Sequence, residues 1–380
     1  MKILADSNIV FVQEAFGVFG EVTLSNGREI TNEKLAETDI LLVRSVTKVN
    51  EDLLKNTPVK FVASATIGTD HIDLSYLQKN CIGFAHAPGS NATAVAEYVV
   101  AAILEMTQRK KLDLQKKCTL GIIGVGNIGT KVLSYAQVLG INCLLCDPPK
   151  KALTGSDFYV SMETVLSQSD IITLHVPLSN TGPDATYHMV NSQFLSAMKK
   201  DAILINTSRG DVIDESSLIK ARPRLGGVIL DVFSNEPKPH SNTIAACDIT
   251  TPHIAGYSFD GKVCGSAMIY EATCAFFFKA KTWRPPNVGS PKITIVLDNN
   301  DMYGTLGEAI SKAYSIKSDD EKLRKILELK TEDRGSYFDE LRKTYPKRFE
   351  FCNYSIFSQK KIPSETLQKL INLGFLISEP

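Results

Sequence analysis

The chain has 380 residues, 43% of them hydrophobic and 22% charged, and its 42 basic side chains are balanced by 42 acidic ones. That length admits two or three domains with full cores, and the composition is that of a globular protein. A formal net charge of zero offers no field for nucleic acid or an anionic membrane, and no stretch reaches the ~18 uninterrupted apolar residues of a membrane span.

From the N-terminus, short apolar runs at residues 2–5, 21–24, 40–43, 60–63 and 83–85 read as strands, with helical patterns between them at 11–19, 50–55 and 74–80. Repeated strand–helix units predict a parallel sheet covered on both faces. Residues 92–108 form a long helical pattern without a breaker, which carries the chain into a second domain. There, the apolar run Thr119 to Ile123 leads into Gly124-Val125-Gly126-Asn127-Ile128-Gly129, and apolar residues then recur at helical spacing from Ile128 to Leu139 before Gly140. Strand, glycine turn and helix follow in the order that seats a dinucleotide's pyrophosphate: Gly124 for the turn, Gly126 for close approach, Gly129 for helix-on-strand packing. A second strand, 141–146, ends in Asp147, near the roughly 20-residue offset at which an acid accepts hydrogen bonds from the adenosine ribose. Asp147 favours NAD over NADP, although Lys150 and Lys151 lie close enough in sequence to soften that preference. Cys143 and Cys146 spell C-x-x-C inside this strand and read as core packing; the eight scattered cysteines fit free thiols in a reducing cytoplasm.

Further strands are expected at 170–176, 202–207, 227–232 and 248–251, with helices at 192–199 and 215–221. Functional groups in such sheets gather at the strands' carboxyl ends. Those ends carry Asp147, His175, Arg209, Asp231 and His253. Residues 259–281 again look helical and are expected to return to the first domain. Trp283-Arg284-Pro285-Pro286 reads as a boundary before a last region of about 95 residues, with a strand at 293–297 and amphipathic helices, whose plainest role is oligomerisation or capping.

A nicotinamide cofactor calls for a proton carrier, a partner to tune it and a cation to polarise a carbonyl. His253 is the candidate acid/base, because imidazole titrates near neutrality; Glu236 is the candidate partner, and Arg209 the candidate grip on a carboxylate. His175, just before Val176-Pro177, fits a wall of the site better than its acid. After the end of another strand, Arg44, Ser45 and Thr47 put a cation beside hydroxyls, which suits a phosphate or a carboxylate.

With the glycine loop and Asp147, the segments Asn206-Thr207-Ser208-Arg209-Gly210, Asp231-Val232-Phe233 through Glu236-Pro237, and Pro252-His253 resemble the D-isomer-specific 2-hydroxyacid dehydrogenase family over about residues 1–280. The resemblance implies two doubly wound α/β domains: a flavodoxin-like substrate domain from residues 1–92 and 258–284, and a Rossmann NAD domain from 93–257. A small α+β C-terminal module at 286–380 would follow, with homodimerisation as its role. It implies catalysis by Arg209, Glu236 and His253, NAD contacts from Gly124, Gly126, Asn127, Ile128, Gly129, Asp147, Val176, Thr207, Ser208, Asp231 and Gly256, and no metal. The runs Val43 to Asn50, Ala65 to His71 and His253 to Tyr257 resemble more narrowly those members that act on small phosphorylated 2-hydroxy acids, and imply substrate contacts from Arg44, Ser45, Thr66 and Tyr257. Other 2-hydroxy acids stay open as substrates. A dinucleotide-sensing regulatory protein is the alternative from a different class, but cofactor binding alone needs none of the proton chemistry of His253 and Glu236.

Overall fold

A computed structural model describes residues 1–109, 112–114, 116–286, 293–299 and 301–378. The chain divides into two compact units, Met1–Asn91 with Tyr257–Gly289, and Ala92–Gly256 with Ser290–Pro380. Residues 287–292, at the start of the expected C-terminal module, lie outside the described residues.

The first unit is built on five strands, β1 (Lys2–Asp6), β2 (Glu21–Ser25), β3 (Ile40–Val43), β4 (Phe61–Ser64) and β5 (Gly83–His86), all parallel in the order β2-β1-β3-β4-β5. The inner strands β3 and β4 are buried at every position. That explains why they read as unbroken apolar runs: helices cover both faces. One face is completed from far along the chain, by the helix Phe259–Phe276. Its Ile269, Tyr270 and Cys274 join Ile3, Phe16 and Phe61 in one core, and the Phe61 and Phe276 rings lie 4.6 Å apart. The expected return of this segment to the N-terminal fold is thus observed, but the helix stops at Phe276 and not near residue 281. The chain turns back there, and the Tyr270 hydroxyl accepts hydrogen bonds from the backbone N–H of Thr282 and of Trp283, each at 2.9 Å. The helix expected over 11–19 is likewise cut to Val12–Phe16. The chain must turn by Gly20 to lay β2 beside β1, and Gly20 adopts φ +151 against the backbone of Met1, where a Cβ would clash.

The second unit holds six parallel strands, β6 (Thr119–Ile123), β7 (Asn142–Cys146), β8 (Ile171–Leu174), β9 (Ile203–Asn206), β10 (Gly227–Leu230) and β11 (Ile249–Thr250), in the order β11-β10-β9-β8-β6-β7. The strand order reverses between β6 and β8, where ligands of such sheets bind. Helices at Pro148–Thr154, Met162–Gln168 and Ser241–Ala246 are too short to stand out as periodic patterns and were not expected from the sequence. The helix Ala92–Gln108 is as expected, and almost wholly buried. The same unit includes the C-terminal module, whose strands β12 (Ile293–Leu297), β13 (Tyr354–Ser358) and β14 (Leu376–Ile377) form a small parallel sheet. All eight cysteines are free, and burial pushes the thiols of Cys143 and Cys146 on β7 up to about 11, as suits packing and not redox chemistry.

Candidate active site

Gly124 ends β6 with φ +86, and a Cβ there would meet the His175 carbonyl oxygen at 2.5 Å. A Cβ on Gly129 would lie 2.1 Å from the Gly124 carbonyl oxygen, so only glycine lets the helix Asn127–Leu139 seat so closely. Gly126 differs: nothing lies within 4 Å of its missing side chain, and this residue caps the helix without any side-chain hydrogen bond. Open space beside uncapped N–H groups fits a pyrophosphate. At the end of β7 the Asp147 carboxylate accepts from the Val125 N–H at 2.8 Å and the Lys150 N–H at 3.1 Å. The Lys150 ammonium donates to the Val125 carbonyl. Lys150, one of the two cations that softened the choice between NAD and NADP, is therefore engaged with the glycine loop itself.

His175 follows β8 with its ring between two hydroxyls, Thr173 Oγ1 at 3.0 Å and Thr207 Oγ1 at 3.3 Å. Burial pushes its imidazole down to about 3, so it is neutral at physiological pH and serves as a polar wall. Val176, next in the chain, packs partly buried at the edge of the core below.

After β9 the Asn206 side chain shapes the turn that presents Arg209. Its Oδ1 accepts from the Ser208 N–H at 2.9 Å and the Ser208 hydroxyl at 2.7 Å, and its Nδ2 donates to the Arg209 carbonyl at 2.9 Å. The Arg209 guanidinium donates back to the Ser208 carbonyl at 2.8 Å, which holds the side chain in place. Gly210 then passes the loop of residues 233–234 so closely that a Cβ would sit 1.9 Å from the Phe233 carbonyl carbon. That contact brings the Arg209 turn against the segment carrying Glu236. Glu215 fixes the same segment by accepting from the Ser234 N–H at 2.9 Å.

Glu236 accepts from the Phe233 N–H at 2.9 Å through one oxygen and meets His253 Nδ1 at 2.7 Å through the other. Burial would push its carboxyl up, but the charge and hydrogen bond of His253, the Phe233 N–H and the charge of Arg342 outweigh it and hold Glu236 below its ordinary value. An ionised Glu236 accepts a hydrogen bond from Nδ1–H, so the neutral ring keeps its lone pair on Nε2. His253 sits at φ +57, in the left-handed region, and its N–H donates to the Asp231 carbonyl at 2.7 Å.

Asp231, at the end of β10, was expected on the cofactor. Its carboxylate is engaged with the His253 loop, accepting from the N–H of Ile254 at 2.8 Å and of Ala255 at 2.9 Å and from the Thr251 hydroxyl at 2.6 Å. Burial pushes its carboxyl up to about 6 against the pull of His253 and these donors. Arg209, Glu236 and His253 thus belong to one unit and to strand ends β9, β10 and β11, with Gly256 closing the loop after His253.

The first unit gathers the other expected residues. Arg44 follows β3 with its guanidinium carbon 5.9 Å from the Tyr257 ring centroid. Lys262, which the sequence reading missed, lies 5.0 Å from the same centroid. Burial, then the charge of Arg44, holds the Lys262 ammonium below its usual range. Among the described residues neither cation takes part in a salt bridge. Its position one helical turn past Tyr257, on the helix Phe259–Phe276, was the only available hint. Ser45 is exposed beside Arg44, whereas Thr47 is buried with its hydroxyl given to the Gly27 carbonyl at 2.8 Å, and so drops out of the anion set. Thr66 belongs to a short chain in which Ser64 Oγ meets Thr66 Oγ1 at 2.8 Å and His71 Nε2 at 3.0 Å.

Residues 91–255 match the family described as D-isomer specific 2-hydroxyacid dehydrogenase, NAD binding domain, and residues 288–374 match a domain of unknown function, DUF3410. An erythronate-4-phosphate dehydrogenase of Salinibacter ruber is 43% identical over 368 residues, covering 94% of each chain. One from Hahella chejuensis is 41% identical over the full length of both. Among solved structures, the D-lactate dehydrogenase of Aquifex aeolicus, complexed with NAD and lactic acid, is 28% identical with a TM-score of 0.62, covering 73% of this chain and 96% of its own.

Proposed function

Because the chain belongs to the D-isomer-specific 2-hydroxyacid dehydrogenase family, in the branch of the erythronate-4-phosphate dehydrogenases, we propose that it oxidises 4-phospho-D-erythronate to 2-oxo-3-hydroxy-4-phosphobutanoate with NAD, a step of pyridoxal 5'-phosphate biosynthesis. The observation that carries this reading is the 2.7 Å bond between His253 Nδ1 and an ionised Glu236, on the strand end next to the one that presents Arg209. The Gly126 opening, the uncapped helix behind it and Asp147 hold the cofactor, which when bound accepts the hydride from C2 of the acid. His253 Nε2 takes the C2 hydroxyl proton as the carbon becomes a ketone, and Glu236 stabilises the imidazolium that forms. Arg209 binds the carboxylate and polarises the adjacent C–O bond. Arg44 and Lys262, beside Tyr257, bind the phosphate; Ser45 and Thr66 supply hydroxyls to the substrate. The protein works in the cytoplasm as a homodimer joined through its C-terminal module, where Val296 on β12 and Leu376 and Ile377 on β14 leave apolar side chains exposed on both outer strands. Light scattering on the intact protein and on Val296→Asp tests the dimer, which the charge should dissociate.

Incubating purified protein with NAD and either 4-phospho-D-erythronate or 3-phospho-D-glycerate, while following absorbance of the reduced cofactor, tests the substrate. Turnover of the four-carbon acid at higher kcat/KM is expected, and preference for the three-carbon acid would overturn the assignment.

A further inference from the structure

The loop that carries His253 hangs from the weakest strand of its sheet. β11 has two residues, pairs only with β10, and leaves its outer edge to whatever lies beside it. An edge N–H without a partner is costly when buried, and a two-residue strand cannot fix the loop that follows. The C-terminal module supplies what the sheet lacks. Asp320, 4% exposed, accepts the outward N–H of Thr250 at 2.9 Å through Oδ1. Arg324 pairs with the same carboxylate at 2.9 Å and donates to the carbonyls of Cys247 at 2.8 Å and Asp248 at 3.0 Å. Arg109 adds a second cation, to Asp320 at 3.6 Å and to the Asp248 carbonyl at 2.6 Å.

A second grip lies two residues beyond His253. Arg348, 6% exposed, donates to the Ala255 carbonyl at 3.4 Å and to the Ala94 carbonyl at 2.7 Å, with its guanidinium stacked 4.0 Å from the Tyr314 ring centroid. Glu97, also buried, lies 3.8 Å from Arg348 and accepts the Phe351 N–H at 2.6 Å, so the module's own backbone is tied into the same cluster. Burying these charges is expensive unless pairing and hydrogen bonds offset the cost. What they share is the backbone of residues 247–255, gripped before and after the histidine.

We propose that Asp320, Arg324 and Arg348 of the C-terminal module are positioning residues that clamp the 247–255 backbone and thereby set the aim of His253. The inference rests on His253 as the proton carrier, and gives the domain of unknown function a share in the chemistry. The residues of the clamp fall within 288–374, the span that matches the domain of unknown function, whereas the NAD-binding family matches residues 91–255. Proton transfer tolerates little misplacement, whereas cofactor affinity depends on the glycine loop at another strand end.

The test uses the full-length protein and compares kcat, both KM values, NADH affinity and melting temperature in four variants. Arg348→Lys and Asp320→Asn keep size and most packing; Arg324→Met removes the charge and the carbonyl contacts at a partly exposed side chain; Leu370→Ala opens a cavity in the module's core away from the loop. The three clamp variants are expected to lose kcat by about 10-fold, with NADH affinity and both KM values within about two-fold, while Leu370→Ala lowers the melting temperature and keeps kcat. Clamp variants with wild-type kcat, or a Leu370→Ala that loses kcat in step with them, would overturn the proposal. A wild-type protein that ignores 4-phospho-D-erythronate but turns over another 2-hydroxy acid would overturn only the substrate, and the same four variants would then be read on that acid.

Discussion

In the unit that holds the glycine loop, His253 leans on Glu236 at 2.7 Å, Lys150 is spent on the Val125 carbonyl, and Asp231 is saturated by three donors of one loop. In the other unit Arg44 and Lys262 stand over the same Tyr257 ring, and among the described residues neither forms a salt bridge. The contrast separates two uses of charge. A proton carrier needs a fixed tautomer and a stable partner, so its counter-charge is built into the fold. Two cations held close without a counter-charge repel each other; burial, and after it this repulsion, holds the Lys262 ammonium below its usual range. A bound dianion would relieve both penalties, as the proposed phosphate site requires.

The largest effect expected on this comparison comes from the matched side. His253→Ala removes the proton carrier and should lower kcat by at least about 10²-fold, while NADH binding, measured by fluorescence titration, stays near wild type. Loss of NADH affinity in parallel would mean that the histidine serves the cofactor and not the chemistry. The waiting cations should respond in KM. Lys262→Met and Arg44→Met each remove a charged hydrogen-bond donor worth about 1.5–3 kcal/mol, so KM for 4-phospho-D-erythronate should rise roughly 10- to 100-fold. Turnover of unphosphorylated D-erythronate should be unaffected, and competitive inhibition by inorganic phosphate should weaken in both variants. Equal losses on the phosphorylated and unphosphorylated acids would erase the distinction between the two regions. The same cations give KM a pH dependence. Phosphate affinity requires a protonated Lys262, whose pKa in the free protein lies below 10.5, so KM should rise toward alkaline pH earlier than for an ordinary lysine. Lys262→Arg should flatten that rise.

The matched region was the more legible of the two in the sequence, for a physical reason. Glycines that a Cβ would break, an acid at a strand end and a histidine after Thr-Pro are local requirements, and each leaves its mark within a few residues. Asp147 and Arg209 stand out in the sequence in this way, because strand ends and the turns after them are short-range features. Lys262 was missed because nothing beside it in the chain explains it: it acquires meaning only when the helix Phe259–Phe276 returns to the fold that carries Arg44. Thr47 shows the opposite error. A hydroxyl near a cation looks like an anion ligand until the fold spends it on the Gly27 carbonyl, 20 positions earlier in the chain. The ties of Asp231 to the N–H groups of Ile254 and Ala255 were equally invisible, since they join two strand ends more than twenty residues apart. The strands of both large sheets followed from apolar runs, as did the helices Ala92–Gln108 and Glu215–Ala221, whereas the ends of others did not, because they are set by tertiary turns such as the Tyr270 hydroxyl bonds to residues 282 and 283.

The smallest effect expected is on stability, and it tests whether the counter-charge of His253 is truly built in. Glu236 is held below its ordinary value in the folded protein, so the folded state binds its proton less tightly than the unfolded chain does. Its contribution to stability is therefore complete above the unfolded value near 4.5 and is lost as pH falls through the lower folded value. Melting temperature measured from neutral to acid pH should include this loss in the wild type, and Glu236→Gln should show a shallower decline over the same range because it has no proton to gain there. The same substitution leaves His253 without an anion to stabilise its imidazolium, so the acid limb of the kcat profile should move to lower pH. Identical acid profiles for the two proteins, in stability and in turnover, would mean that the pair is a contact of convenience, and the contrast with Arg44 and Lys262 would lose its physical basis.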